Sequence, residues 1–146
     1  MNENETRKTN YAAIDIGSNA VRLLIKEIKE EQGKAHFSKV LMLRVPLRLG
    51  FDVFDIGKIS EKKEKNMIRL MKAFRHLMKI YDVKHCRACA TSAMRDAKNG
   101  MDIIKQIEKK TGVHIDIIDG QEEAKIIYNN HVCLLYTSPS PRDPKT

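Results

Sequence analysis

Apolar positions along the chain follow two different periods. From residue 11 to 45 they alternate with polar residues or form short runs, whereas from 60 to 81 they recur every three or four positions. Tyr11 to Ile16 is apolar except at Asp15, and in Ala20 to Ile28 Val21, Leu23 and Ile25 alternate with Arg22 and Lys26. Both segments read as strands joined by a tight turn at Gly17 to Asn19. KEEQGK supplies a second turn centred on Gly33, and Ala35 to Val45 reads as a third strand, so the chain opens with a three-stranded antiparallel meander.

PLRLGFDVFDIGKIS contains Pro46 and two glycines and reads as a loop ending at Ser60, a good helix N-cap. Beyond it Met67, Leu70, Met71, Phe74, Leu77, Met78 and Tyr81 follow offsets of three and four, with Lys65, Arg69, Lys72, Arg75 and Lys79 on the other side. That spacing predicts an amphipathic helix of about five turns whose Met-rich stripe faces the core. VKHCRACAT reads as the next strand, SAMRDAKNG as a polar turn or short helix, and Met101 to Lys110 as a helix stopped by Gly112. VHIDIID alternates as a strand, and GQEEAKIIYNN begins a helix with glutamates in its first turn, where the helix dipole favours negative charge. The order β-β-β-α-β-α-β-α predicts an α/β fold, a mixed sheet with helices on its faces.

Two ends of the chain stand apart from this pattern. Residues 1 to 10, MNENETRKTN, have no apolar run and are expected to be disordered, ahead of a folded segment from 11 to 132. CLLYTSPSPRDPKT, residues 133 to 146, has no periodic role. Its stretch Cys133 to Asp143 resembles a transposase sequencing adapter translated in frame, so residues 133–146 are expected to be an artefactual tail and the natural sequence to stop near Val132.

With 146 residues the chain fits one domain, large enough to bury a core without disulfides or a metal. Its 27 basic against 19 acidic residues give a net charge of +8, which favours anionic partners but does not choose among nucleic acid, an acidic membrane surface and a polyphosphorylated small molecule. No stretch of about 18 apolar residues occurs and no signal sequence opens the chain, so a cytoplasmic protein is expected. The three cysteines argue against a disulfide framework, and Cys86 and Cys89, three apart on a strand, fall on opposite faces. The aromatic residues do not interleave with the basic ones as a stacking platform for nucleic acid requires.

Three short segments carry candidate chemistry. In DIGSN, Gly17 and its small polar neighbours let backbone amides and hydroxyls approach a phosphate closely, and Asp15 at the strand end can hold a hydrated Mg²⁺ beside it. The same residues also suit an ordinary hairpin turn. In ATSAMRDAKNG, Thr91 and Ser92 lie just past a strand's C-terminal end, the usual ligand edge of an α/β sheet, and the Arg95 guanidinium can fork onto phosphate oxygens. In DGQEEAK, Glu122 or Glu123 can orient and deprotonate a water, or simply stabilise a helix start.

Taken together and in this order, AAIDIGSNAVRLLI, ACATSAMRDAKNG and IDIIDGQEEAKIIY resemble the exopolyphosphatase and guanosine pentaphosphate phosphohydrolase (Ppx/GppA) family over about residues 11 to 132. The resemblance implies a truncated ribonuclease H-like lobe of the actin-like ATPase (ASKHA) fold. It also implies a parent protein that hydrolyses terminal phosphoanhydride bonds of inorganic polyphosphate or pppGpp with Mg²⁺. By position Asp15 would meet the metal, Gly17, Ser18, Asn19 and Arg95 would bind phosphate, and Glu123 would be the general base. Asp119 stands where the family usually has Ser. The implied partners are polyphosphate or guanosine penta- or tetraphosphate, with no nucleic acid and no membrane, and a homodimer for the full-length protein.

The family's second phosphate loop, DIGGGS, is expected shortly after Lys125 to Asn130, where this chain runs into the tail. In-line attack needs the phosphoryl group gripped from both lobes, so the chain alone is expected to be inactive. The alternatives are a module that binds (p)ppGpp or polyphosphate without hydrolysis, and another ASKHA phosphotransferase that would need ATP.

Overall fold

A computed structural model describes residues 6–119. Its elements, in order, are β1 (Arg7–Ile16), β2 (Val21–Glu31), β3 (Lys34–Val45), α1 (Leu49–Ile56), α2 (Glu61–Ile80), β4 (Val83–Ala90), α3 (Ser92–Asp96), α4 (Gly100–Thr111) and β5 (Ile115–Ile117). The strands form one sheet in the order β3-β2-β1-β4-β5. β1, β2 and β3 pair antiparallel as the expected meander, while β4 joins β1 and β5 joins β4 in parallel. The sheet is therefore mixed. β1 starts at Arg7, inside the segment expected to be disordered, because residues 7 to 10 continue the ladder against β2, with Arg7 opposite Glu30.

One face of the sheet makes the core. Ile14, Leu23, Leu43, Ala88 and Ile115 stand in register on that face, and they join one apolar cluster with Met67, Met71 and Phe74 of α2 and Ile103 and Ile107 of α4. The alternation in β1 and β2 thus directs every second residue under the helices. α2 begins as its sequence predicts, with the Ser60 hydroxyl accepting from the amide of Lys63 at 3.4 Å.

The segment expected to be a loop after Pro46 contains α1. Proline and glycine here mark the ends of a helix rather than its absence. Arg48 enters α1 in the left-handed region, and Gly57 leaves it in the same region with its amide bonded to the Val53 carbonyl. Asp52 fastens α1 to the next helix: its carboxylate accepts from the Ser60 amide at 2.9 Å and pairs with Lys63 at 2.8 Å. Burial opposes ionisation of Asp52, but the Lys63 and Ser60 contacts outweigh it and hold its carboxyl below the ordinary value.

α4 starts where the chain passes closest to itself. A Cβ at Gly100 would lie 2.0 Å from the Met94 carbonyl oxygen, so only glycine allows α4 to leave α3 at this angle. Asn99 just before it clamps the Ile59 backbone, accepting from its amide at 3.0 Å and donating to its carbonyl at 2.8 Å. Among the described residues no helix is long and apolar enough to cross a membrane.

Candidate active site

The C-terminal ends of β1, β4 and β5 lie side by side, because these three strands run parallel. The segments that leave them therefore emerge along one edge of the sheet, the usual position for ligands in α/β folds. The Ser18 hydroxyl, after β1, lies 2.7 Å from the Ser92 hydroxyl, after β4, although 74 residues separate them in the chain. The amide of Thr91 donates to the Ile16 carbonyl at 3.1 Å, and that of Ile118 to the Ala90 carbonyl at 3.0 Å, so all three exits are tied together.

The turn after β1 is more firmly held than a free hairpin tip. Gly17 donates its amide to the Ala20 carbonyl at 3.0 Å, while the carbonyls of Ser18 and Asn19 accept from Gly50 at 2.8 Å and Arg48 at 3.0 Å. α1, the unexpected helix, thus buttresses the turn. Its approach is close: a Cβ at Gly50 would lie 3.0 Å from that of Ser18.

Between the turn and β4 opens a cavity of about 490 Å³, lined by Asp15, Gly17, Ser18, Asn19, Thr91 and Ser92, with Arg22, Arg44 and Arg87 along its sheet side. Hydroxyls, guanidinium groups and a glycine turn are the groups from which an anion site can be built. Cys89, also in the lining, is buried; burial pushes its thiol up, and Arg87 beside it offsets part of that rise. Cys86 lies on the opposite face of β4, exposed, as an offset of three requires.

Asp15 does face the cavity, but its carboxylate pairs with Arg22 at 2.7 Å. Among the described residues no three His, Cys, Asp or Glu side chains converge as a metal cage. A single carboxylate fits Mg²⁺ that arrives bound to phosphate oxygens and water, and does not fit a resident ion held by protein alone. Arg95 is placed differently from the other candidates: it does not line the cavity, and its guanidinium donates to the Ile118 carbonyl at 2.6 Å. Glu122 and Glu123 lie outside the described residues.

The sequence pattern singled out the Gly17–Asn19 turn and the Thr91–Ser92 segment, which the structure brings to one cavity. It missed Arg44 and Arg87, which approach the turn only through strand register. Arg22, read as one polar position of an alternating strand, carried the signal in its pairing with Asp15 across the β1–β2 ladder.

Comparison with known proteins converges on one group. The model of the Ppx/GppA phosphatase family matches residues 24–138. A bifunctional 3-dehydroquinate synthase/phosphatase of Fusobacterium nucleatum is 32% identical over 82% of this chain, which spans 19% of that protein. Exopolyphosphatase 1 of Mycobacterium bovis is 29% identical over 79% of the chain and 33% of its own length. Among solved structures, an Aquifex aeolicus Ppx/GppA family member superposes with a TM-score of 0.76 at 28% identity, covering 89% of this chain and 40% of that one. An exopolyphosphatase from Cytophaga hutchinsonii gives 0.73 at 28% identity, covering 82% and 37%. The chain thus spans a third or less of these curated relatives. Its five-stranded mixed sheet and helices are part of a lobe of the actin-like ATPase fold. With the family model matching most of its length and the same architecture in the solved relatives, the chain belongs to the Ppx/GppA phosphatase family.

Proposed function

We propose that this chain is the phosphate-binding part of a hydrolase that removes terminal phosphates from inorganic polyphosphate or pppGpp. The observation that carries the reading is the Ser18–Ser92 hydroxyl contact at 2.7 Å, which joins the glycine turn after β1 to the loop after β4 beside a cavity rich in arginine. Family membership and the names of the exopolyphosphatase relatives support the choice of phosphoanhydride over other anions.

In this reading the Ser18 and Ser92 hydroxyls donate to the terminal phosphate. Arg22 exchanges Asp15 for phosphate oxygens, which frees the Asp15 carboxylate to meet the Mg²⁺ that accompanies the substrate. Arg95, bonded to the Ile118 carbonyl, positions the backbone that leads from β5 toward Glu123. Glu123 is the general base for the attacking water. The chain spans 19% and 33% of its curated relatives, and we propose that it binds the phosphate chain but turns it over only as part of a protein of their length.

Phosphate release from inorganic polyphosphate tests the assignment. In the full-length gene product, Glu123→Gln is expected to abolish release while polyphosphate binding persists. Release at the unsubstituted rate removes Glu123 from the mechanism, and brisk release by the 146-residue chain alone overturns the division of labour.

A further inference from the structure

On the cavity face Arg44, Arg22, Asp15, Cys89 and Asp116 stand in one transverse row across β3, β2, β1, β4 and β5. The sheet is five strands wide at that level and four strands wide toward the start of β4, because β5 pairs only with Ala88, Cys89 and Ala90. The Ala90 carbonyl accepts from the Ile118 amide on the β5 side, and successive residues of a strand turn their backbone groups to opposite edges. The amides and carbonyls of Lys84 and Cys86 therefore point to that same side, where among the described residues no strand pairs with them. Val83 to Arg87 is thus an open edge about 16 Å long at the rise of a strand.

Two cavities follow this edge and share Arg75, Met78 and Cys86 in their linings. One, of about 320 Å³, lies between the end of α2 and the first residues of β4. The other, of about 340 Å³, opens where Gly112 to His114 lead into β5 without joining β4. Together they make a groove with α2 as its wall. Its lining sets Arg75, Lys79, Lys84 and Arg87 against Asp82 and Asp116, and both carboxylates are engaged, Asp82 with Lys84 at 3.2 Å and Asp116 with His114 at 3.0 Å. Arg75 donates to the Thr111 carbonyl, whereas the Lys79 ammonium has neither a hydrogen bond nor an ion pair among the described residues.

A second copy of the chain does not suit this groove. The sheet's other edge strand, β3, carries Lys34, Lys39 and Arg44, β4 itself carries Lys84 and Arg87, and neither strand contains an acidic residue. Either one laid against β4 would bring like charges together. We propose that the edge of β4 from Val83 to Arg87 is a docking site for an extended acidic segment of another protein, which adds to the sheet as a strand beside β4. Main-chain hydrogen bonds to Lys84 and Cys86 hold the segment, and its carboxylates meet the cations of α2 and β4. Lys84 stands six residues before Ala90, about 20 Å along the strand, so the groove is separate from the phosphate turn and does not depend on how that turn is read.

Fluorescence anisotropy of a labelled octapeptide of alternating glutamate and valine, titrated with the 146-residue chain, tests the proposal. The peptide is expected to bind saturably and to slow hydrogen exchange at the Lys84 and Cys86 amides. N-methylation of every peptide amide keeps the charge and removes the donors, and should weaken binding at least about tenfold. Lys79→Gln combined with Lys84→Gln should weaken it several-fold at wild-type Tm, since both side chains are exposed. Lys65→Gln combined with Lys72→Gln, the same change of charge at exposed positions of α2 outside the groove, should leave it unchanged. Equal binding of the methylated peptide or of a lysine–valine octapeptide overturns the proposal. So do an equal loss in both double variants, exchange protection away from β4, and the absence of saturable binding.

Discussion

On one face of the sheet Ile14, Leu23 and Ala88 are almost wholly buried beneath α2 and α4, with exposures of 2%, 0% and 3%. At the adjacent position on the same strands, Asp15, Arg22 and Cys89 look into the cavity. A two-residue period therefore divides a single set of strands into a structural face and a chemical face. The covered face is held by apolar area, which is additive and tolerant of exchange among residues of similar size. The cavity face instead carries charged side chains, with Arg44 opposite Arg22 in the ladder and Arg22 paired with Asp15.

The largest contrast follows from truncating one side chain on each face. Phe74, 1% exposed against the covered face, should cost about 3–5 kcal/mol when replaced by alanine. Met42, 46% exposed on the cavity face, should cost about 0.5 kcal/mol or less. Urea denaturation of the two variants measures both, and similar losses would erase the distinction between the faces.

Asp52 sharpens the account of how the covered side supports the site, since it ties α1, which buttresses the phosphate turn, to the start of α2. Asp52→Asn should cost about 1–2 kcal/mol at neutral pH, because the Lys63 ion pair is lost and the bond from the Ser60 amide is no longer charge-assisted. Its carboxyl is held below the ordinary 3.8, so the contribution is complete above that pH and disappears as pH falls through the lower folded value. The gap between wild type and variant should therefore close in acid; a gap constant with pH assigns the effect to packing.

The smallest expected effect lies where the faces meet. His114 bridges Glu108 at the end of α4 and Asp116 of the cavity-face row, at 2.9 and 3.0 Å. Its hydrogen bond to Glu108, followed by that to Asp116, raises the imidazole above its ordinary 6.5. The stabilisation is then complete below that pH and is lost as pH rises through the folded value. Thermal melts should show Tm declining slightly across that window in wild type and flat in His114→Gln; the same slope in both would place the titration elsewhere.

Much of this molecule was legible in the sequence because its information is local. Period-two alternation gave β1 to β3, offsets of three and four gave α2 with its Ser60 cap, and the glycine turn and the Thr91–Ser92 segment announced themselves by residue type. What remained hidden depends on contacts between distant residues. α1 was obscured because Pro46, Gly50 and Gly57 resemble loop composition, and its ends use left-handed backbone at Arg48 and Gly57 instead of a side-chain cap. Arg44 and Arg87 reach the site only through the register of β3 on β2 and β4 on β1. Asn99 reads as a turn residue, yet its amide clamps Ile59 forty positions away. Arg95 shows the converse limit: motif position suggests a phosphate ligand, whereas its guanidinium donates to the Ile118 carbonyl.

The central claim is that the turn after β1 and the loop after β4 form one phosphate site. Backbone amide NMR of the 146-residue chain, titrated with tripolyphosphate, tests it most directly. The account predicts saturable shifts concentrated at residues 17–19 and 91–92 and beside Arg44 and Arg87. Shifts spread instead along the lysine-rich side of α2, at Lys62, Lys65, Lys72 and Lys79, would mean that the net charge of +8 attracts the anion without a site, and would contradict it.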